Sequence, residues 1–374
     1  MRNLLPALLI GLILACGMFT SCKKHINGPP EDTTHKCDTC CDTCKKDTTK
    51  PPCDTCNIDK DSAAHAFVWT EYVNGIPNET NITGVWVFGP NDIMICANSL
   101  YHFDGTNFTL IDESLTRHPT ISANGGLNGF NIFAFSKTDF WLVNGIAFHS
   151  TDVNHIDDMR PPGYLNACWG TSSNDMFFVG RSGYIYHFDG TSFSQMTSNT
   201  TKDLRSVWGT SSTNVWACGY NTSTGGTTLI HYDGNLWSED QLSITKGIQA
   251  TGGFNAVYAV DSAGQHFVST SGAILLRKTN NGLWRSDSGL IPNSLGGSSF
   301  IGIAPKGNSP NDMMVYGPWG FIAHWNGKTW KQYNSLFNYG NPDYFSSAFS
   351  INGNTACAVG EKSGQAWMAV GRRK

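Results

Sequence analysis

The chain has 374 residues, of which 14% are charged and 12% aromatic, and it contains 40 glycines. So many aromatic residues exclude a disordered protein, and the glycines, with many Ser, Thr and Asn, favour an all-β protein with tight turns. The net charge is -4, with no basic block in the body of the chain. This argues against a nucleic-acid partner, because nucleic-acid surfaces need clustered Lys and Arg.

The first predicted element is an export signal. Arg2 precedes an apolar run from Leu4 to Ala15, which is too short and too early for a transmembrane helix. The signal ends in "FTSC", where Cys22 is followed by two lysines. This resembles the lipobox of bacterial lipoproteins, and the resemblance implies cleavage before Cys22 and acylation of that cysteine. Cys16, in "ILAC", is the alternative anchor, and a secretory signal without a lipid is the other alternative.

The next segment, 23–62, is rich in Lys, Asp, Thr, Pro and Cys and has almost no apolar side chains. It cannot bury enough surface to offset the entropy of ordering, so we predict a disordered or extended linker. Its cysteines form three Cys-x-x-Cys units: Cys37, Cys40, Cys41, Cys44, Cys53 and Cys56.

Four interpretations of these linker cysteines compete. No unit is followed by His, which excludes haem attachment. A zinc site needs a folded segment between its cysteine pairs, and a thioredoxin-like site needs a βαβ scaffold; the linker indicates neither. Local disulfides persist in exported proteins, so we favour disulfides, with a metal site as the alternative. We expect no metal and no cofactor.

From Phe67 onward one pattern recurs, most clearly in "GVWVFGPNDIMICANSLYHFDGTNF" (84–108), "ACWGTSSNDMFFVGRSGYIYHFDGTSF" (167–193) and "SVWGTSSTNVWACGYNTSTGGTTLIHYDGNLW" (206–237). Each copy has an apolar run ending in Trp, a polar turn with Asp or Asn, a second apolar run, a turn containing Gly and a third run ending in His. Asp-Gly and an aromatic residue follow. Asp-Gly between apolar runs is a strong hairpin signal, so it should join the third strand to the fourth. The period, roughly 35 to 55 residues, is in the range of propeller blades.

Weaker copies occupy 131–152, 255–284, 311–330 and 346–370, which makes seven copies. The last copy stops after its third run, and "HAFVWTEYV" (65–73), before the first copy, has the pattern of a fourth strand. We therefore predict an all-β protein, a seven-bladed β-propeller, in which this N-terminal strand pairs with the strand near Trp367 to Val370 and closes the ring. The predicted domains are a signal peptide at 1–21, a lipidated linker at 22–62 and the propeller at 63–374.

The recurring unit is similar to that of a bacterial propeller family whose repeats read roughly W-G-x-S-x-N-D-V-W-x-x-G, then a glycine turn, then H-x-D-G-x-x-W. Many of its members are lipoproteins of unknown function, so the resemblance implies a propeller and a lipid anchor but no activity. A weaker likeness to the Asp-box of sialidases, S-x-D-x-G-x-x-W, fails because Asp and Gly are adjacent here. The arginines that would bind a sialidase substrate are also scattered: Arg117, Arg160, Arg181, Arg205, Arg277 and Arg285.

The polar residues that recur in the repeat have structural explanations. The Asp-Gly acids suit a turn that needs a positive φ and local hydrogen bonds. The histidines at 102, 149, 187, 231 and 324 share one strand position, so each should lie in a different blade and bond a neighbouring blade or a turn. The recurrent Trp and Phe of the first and fourth strands should pack between blades. The cysteines of the body take the places of valines and should be buried: Cys96, Cys168, Cys218 and Cys357.

Candidate binding residues lie in the loops. The loops between second and third strands and the loops between blades should share one face of the ring, and rigid scaffolds carry function on such loops. Aromatic and charged side chains outside the repeat pattern on that face are the candidates: Arg181, Tyr184, Tyr220, Trp319, Tyr339, Asp343 and Tyr344.

We expect a lipid-anchored, monomeric propeller of the cell envelope, at the outer membrane and facing the periplasm or the outside, that binds a protein or a glycan without catalysis. It could also serve as a scaffold in an envelope complex. The alternative is a glycan-active enzyme with its site at the mouth of the central channel. That alternative requires two carboxylates or a His–acid pair facing one pocket.

Overall fold

The structure, a computed structural model, describes residues 67–373 apart from 74–75, 77–78, 80–81, 112–129, 153–154, 222–225, 241–252, 263–264, 272–274, 279–283, 287–303, 318–320 and 334–343. The predicted signal peptide and linker, with Cys22 and the six linker cysteines, lie outside these residues. Within them every regular element is a β-strand except one 3-10 turn, Arg181–Gly183. The predicted all-β class is confirmed.

The strands form seven four-stranded sheets, named here sheets 1 to 7. Sheet 1 contains β2 (Gly84–Gly89), β3 (Asp92–Cys96), β4 (Leu100–Phe103) and β5 (Phe108–Leu110). Sheet 2 contains β6 (Asn131–Ala134), β7 (Phe140–Asn144), β8 (Ile146–Asp152) and β9 (His155–Met159). Sheet 3 contains β10 (Leu165–Ser172), β11 (Asp175–Gly180), β12 (Ile185–Phe188) and β13 (Phe193–Met196). Sheet 4 contains β14 (Leu204–Ser211), β15 (Asn214–Tyr220), β16 (Thr227–Tyr232) and β17 (Trp237–Glu239).

The remaining sheets continue the series. Sheet 5 contains β18 (Ala256–Ser262), β19 (Gln265–Ser271), β20 (Leu275–Lys278) and β21 (Trp284–Ser286). Sheet 6 contains β22 (Ala304–Ser309), β23 (Asp312–Gly317), β24 (Phe321–Trp325) and β25 (Trp330–Gln332). Sheet 7 contains β26 (Tyr344–Asn352), β27 (Thr355–Lys362), β28 (Gln365–Arg373) and, as its outer strand, β1 (Phe67–Val73).

The Asp-Gly turns join third to fourth strands, as predicted. In sheet 1 the carboxylate of Asp104 accepts hydrogen bonds from the backbone N–H groups of Thr106 at 2.8 Å and Asn107 at 2.7 Å. Gly105 has φ +100, and a Cβ there would meet the side chain of Asn91 in the first hairpin turn of the sheet. The backbone N–H donors hold the pKa of Asp104 below its ordinary value. Asp189, Asp233 and Asn326 accept the same pair of bonds in sheets 3, 4 and 6.

Adjacent sheets pack through their first strands. β2 contacts β6, β6 contacts β10, and the series continues through β14, β18, β22 and β26. β26 then contacts β2, so the first strands surround a common centre. This arrangement is a β-propeller.

The N-terminal strand closes sheet 7. β1 pairs antiparallel with β28, from Phe67 opposite Arg373 to Val73 opposite Trp367. Glu71 of β1 accepts a hydrogen bond from Trp367 Nε1 at 3.1 Å and lies 3.2 Å from the ammonium of Lys362. The predicted pairing of the two chain segments is therefore confirmed.

Aromatic side chains fill the spaces between sheets. On the fourth strands, Phe193 of sheet 3 lies 6.5 Å from Trp141 of sheet 2, and Trp237 of sheet 4 lies 6.3 Å from Phe177 of sheet 3, measured between ring centroids. Trp141 and Trp237 are at most 1% exposed. Truncating such a side chain to Ala typically costs about 3–5 kcal/mol, so these rings hold neighbouring sheets together as predicted.

The four cysteines of the body are free and buried, as predicted: Cys96, Cys168, Cys218 and Cys357. Burial raises the pKa of the Cys96, Cys168 and Cys357 thiols far above its ordinary value. These thiols act as small apolar side chains in the core.

Candidate functional site

The connection between the second and third strands of sheet 3 is a tight turn at the surface. Ser182 and Gly183 have φ values of 55 and 75, in the left-handed region. A Cβ at Gly183 would lie 1.9 Å from the carbonyl oxygen of Thr200 in the loop between sheets 3 and 4, so the turn needs glycine there. The turn leaves the side chain of Arg181 exposed.

Arg181 stacks on a tyrosine of the loop that enters sheet 3. Its Cζ lies 3.9 Å from the ring centroid of Tyr164, and its backbone N–H donates to the Tyr164 carbonyl at 2.9 Å. The Tyr164 hydroxyl donates to Asn144 Oδ1 of sheet 2 at 3.0 Å. Tyr164 is nevertheless 39% exposed. The ring is thus fixed from both sides while part of its surface faces solvent.

A second arginine stacks on a tyrosine in sheet 4. The Cζ of Arg205 lies 4.1 Å from the ring centroid of Tyr220, the last residue of β15. Arg205 is the extra residue where the β14–β15 register shifts between Leu204 and Ser206. Such a bulge re-aims a side chain out of the strand's alternation. A Cβ at Gly253 would lie 2.0 Å from the Tyr220 ring, so the loop before sheet 5 also packs against this tyrosine.

One aspartate joins the two stacked pairs. The side-chain Oδ1 of Asp203 accepts a hydrogen bond from the backbone N–H of Ser182 at 2.9 Å. The backbone carbonyl of Asp203 accepts a hydrogen bond from the backbone N–H of Tyr220 at 3.0 Å. The Arg181–Gly183 turn also contacts β14. The two arginines therefore belong to one continuous region, on adjacent sheets.

Tyr184 extends this region. Its ring packs over Gly163, where a Cβ would lie 2.5 Å from it, and its centroid lies 6.2 Å from that of Tyr186. We call the group of five side chains the arginine–tyrosine surface: Tyr164, Arg181, Tyr184, Arg205 and Tyr220.

The arginines of this surface have no counter-ion among the described residues. Neither Arg181 nor Arg205 forms a salt bridge there, and the buried Nε of Arg205 finds no hydrogen-bond partner in the same part of the chain. A guanidinium that stacks on an aromatic face keeps its five N–H donors in its own plane, pointing away from the ring. Such a group can bind a carboxylate with two parallel hydrogen bonds.

The structure describes the side chains of three of the seven predicted binding residues. Arg181, Tyr184 and Tyr220 lie on the predicted face, at the connections between second and third strands. Tyr344 begins β26, and its side chain is not described. Trp319, Tyr339 and Asp343 lie outside the described residues. The sequence analysis did not select Tyr164 or Arg205. Tyr164 is an aromatic residue in an inter-sheet loop, which is a usable signal. Arg205 lies in a repeat strand, where no sequence signal distinguishes it.

The recurrent histidines pair with the acid or amide at the start of the second strand in the same sheet. Nε2 lies 2.7 Å from the side-chain oxygen in His102–Asp92, His187–Asp175, His231–Asn214 and His324–Asp312, and 3.1 Å in His149–Asp139. A carboxylate only accepts, so each Nε2 facing one donates. The predicted turn partner is confirmed, and one such pair stands in each of five sheets as a repeated structural bond.

Among the described residues no group of three His, Cys, Asp or Glu side chains is placed to hold a metal ion. No helix in this part of the chain is long and apolar enough to span a membrane.

Comparison with solved structures identifies relatives in fold. The structure titled "YCF48 bound to D1 peptide" is 14% identical, covers 83% of this chain and 99% of its own, and superposes with a TM-score of 0.57. "YCF48 from Cyanidioschyzon merolae" is 13% identical, with coverage of 80% and 98% and a TM-score of 0.57. No family model matches the chain, and no curated protein is significantly similar to it. At these identities the likeness shows the β-propeller fold.

Proposed function

We propose that this chain is a lipid-anchored envelope protein whose seven sheets are the blades of one propeller, and that it binds a protein partner through the arginine–tyrosine surface without catalysis. The observation that carries the proposal is the pair of stacked guanidinium groups, Arg181 on Tyr164 and Arg205 on Tyr220, neither of which has a counter-ion among the described residues.

Arginine and tyrosine are enriched at protein interfaces and supply most hot spots. Both arginines are already ordered by their tyrosines, so less side-chain entropy is lost on binding. Their in-plane donors suit a carboxylate, and the exposed part of Tyr164 suits an apolar or aromatic neighbour. The partner segment is therefore a polypeptide carrying Asp, Glu or a free C-terminal carboxylate beside an apolar side chain.

Two further points support binding over catalysis. YCF48, a propeller of similar fold, was solved bound to the D1 peptide. The His–acid pairs of the described residues lie in separate sheets. Within its sheet, each pair lies where the second strand begins. A glycan-active enzyme instead needs its acid and base at one pocket.

The anchor and the location rest on the N-terminal sequence. We propose that Cys22 carries the lipid, that 23–62 is a linker with local disulfides, and that the propeller stands at the outer membrane as a monomer. Metabolic labelling with an alkyne-bearing palmitate tests this point. The label should persist in Cys16→Ala and disappear in Cys22→Ala. The reverse pattern would assign the anchor to Cys16, and an unsubstituted protein that takes up no label would refute lipidation.

Site-specific photo-crosslinking in intact cells tests the binding face. A benzophenone amino acid replaces Tyr164 on the arginine–tyrosine surface or, as control, Leu236, which is 49% exposed in the Asp233–Leu236 turn. That turn lies at the opposite end of sheet 4 from its second-to-third-strand connection. We expect a protein adduct of defined mass from position 164 and none from position 236.

Two results would count against the proposal. Equal adducts at both positions would indicate non-specific contact. No protein adduct at either position, together with binding of the full-length protein to a glycan array, would indicate that the ligand is a glycan and not a protein.

A further inference from the structure

A lysine occupies a position in sheet 6 that aromatic residues hold in four other sheets. Lys306 of β22 lies opposite Met314, two residues after Asp312. In four other sheets, the residue at this position of the first strand is aromatic. Each is identified in the same way, because it lies opposite the residue two positions after the Asp or Asn that bonds the histidine of its sheet: Trp86, Phe133, Trp169 and Trp208. The repeat therefore places an amine where it otherwise places a ring.

The amine of Lys306 reaches aromatic rings of two other sheets. Its Nζ lies 3.6 Å from the ring centroid of Trp208, which belongs to sheet 4 and not to a neighbouring sheet. The ring of Tyr258, in sheet 5 between them, is 6.0 Å from Nζ and 5.1 Å from the Trp208 ring. Trp208 in turn lies 6.1 Å from Phe133 of sheet 2. The amine thus meets an aromatic group to which several first strands contribute.

The surroundings of Lys306 change its chemistry. No carboxylate pairs with it among the described residues, and burial lowers its pKa to about 7. This lower pKa increases the neutral fraction of the amine near pH 7 relative to that of an exposed lysine. The side chain still retains some solvent exposure. A neutral amine desolvated by apolar groups is the form of lysine that attacks carbonyl compounds.

We propose that Lys306 is a carbonyl-reactive amine that forms a reversible imine with an aldehyde whose flat, apolar substituent lies against Trp208. The nitrogen lone pair attacks the carbonyl carbon as the C=O π bond breaks; the nitrogen then loses a proton and the oxygen gains one, which gives a carbinolamine. Loss of water then gives the imine, with no change of oxidation state. This site is separate from the arginine–tyrosine surface, and it stands or falls independently of the proposed function.

Reductive trapping tests the proposal on the full-length protein. Benzaldehyde and cyanoborohydride, which supplies a hydride to the imine, leave a benzyl group on each lysine that reacted, and peptide mass spectrometry measures the rate at each position. Lys331 of the same sheet is the internal standard, because it is exposed and its Nζ also lies near a ring, 5.4 Å from the centroid of Tyr333.

At pH 7 we expect Lys306 to react at least tenfold faster than Lys331. The ratio should fall as the pH rises toward 10, because exposed lysines then lose their protons as well. Lys306→Arg keeps a cation at Trp208 but removes the primary amine, so its peptide should remain unmodified while Lys331 reacts as before. A Lys306 rate equal to or below that of Lys331 at pH 7 would overturn the proposal, and this comparison needs no variant.

Discussion

The guanidinium of Arg373, in β28 of sheet 7, donates a hydrogen bond to the carboxylate of Asp312 in sheet 6, with Nη2 and Oδ1 2.7 Å apart. The same oxygen lies 2.7 Å from Nε2 of His324, and Asn308 Nδ2 donates to the other oxygen at 2.8 Å. The C-terminal end of β28 is therefore held by a neighbouring sheet as well as by its pairing with β1.

Loss of this ion pair should destabilise the propeller. The two side chains are 15% and 9% exposed, so removing one charge leaves the other buried without its partner. We expect Arg373→Met to lower the free energy of unfolding by about 3–5 kcal/mol, measured by urea denaturation. The control is Arg372→Met, which removes a bond to the Pro90 carbonyl at an exposed position and should cost below about 1 kcal/mol. Equal losses would contradict the assignment.

The same aspartate predicts a loss of stability in acid. Burial alone would raise the pKa of Asp312, but hydrogen bonds from His324, Asn308 and Arg373 outweigh it and hold the pKa below the ordinary value. A carboxyl group whose folded pKa is lowered stabilises the fold above its unfolded pKa, about 3.9, and loses that contribution as the pH falls through the folded value. The difference in unfolding free energy between the protein and Asp312→Asn should be full at pH 6–7 and shrink below about pH 4. A difference independent of pH would contradict this.

Two glycines with similar backbone angles should respond differently to alanine. Gly183 has φ +75 and no room for a Cβ beside Thr200, whereas Gly364 has φ +78 and nothing within 4 Å. The left-handed conformation alone costs about 1–2 kcal/mol for a non-glycine residue. We expect Gly364→Ala to show that cost and Gly183→Ala to show distinctly more, in thermal unfolding. Gly183→Ala should also weaken crosslinking at position 164, because it displaces the turn that carries Arg181.

Binding should depend on the two stacked arginines. Arg181→Gln with Arg205→Gln removes the in-plane donors and the positive charge but keeps side chains of similar reach. We expect at least a tenfold loss of crosslinked partner, about 1.4 kcal/mol or more, with an unchanged melting temperature. The control is Arg160→Gln, since Arg160 is already paired with Asp158 at 2.5 Å. A loss as large in the control would indicate a general effect of charge.

Stepwise alkylation should separate two classes of cysteine. In the native, unreduced protein we expect neither the six linker cysteines nor the four buried ones to react. Reduction should release the linker thiols, and denaturation should then expose Cys96, Cys168, Cys218 and Cys357, each step read as an added mass. Linker thiols that react without reduction, once a chelator is added, would favour the metal alternative.

The repeat was predictable because its signals are local. Asp-Gly turns, the spacing of apolar runs and the missing fourth strand of the last copy fix the hairpins and the pairing of β1 with β28 without knowledge of distant contacts. The histidines recur at one position, so a structural role and a turn partner followed from the pattern, although the particular acid or amide that each one bonds did not.

The candidate site was only partly predictable. Arg181, Tyr184 and Tyr220 stand outside the repeat and were visible as loop residues. Arg205 was not, because it lies in a run that reads as a regular strand and only the bulge between Leu204 and Ser206 turns it toward Tyr220. Lys306 lies against Trp208, two sheets away, and no local sequence signal reports that contact.

The pairing of Phe67 with Arg373 brings the start of β1 and the end of β28 to neighbouring positions of one antiparallel pair. A short hairpin turn could join them, and the chain could then be cut at another surface turn. The propeller should thus tolerate circular permutation. The position of the new break should not change the fold of the sheets as long as Arg373 still reaches Asp312.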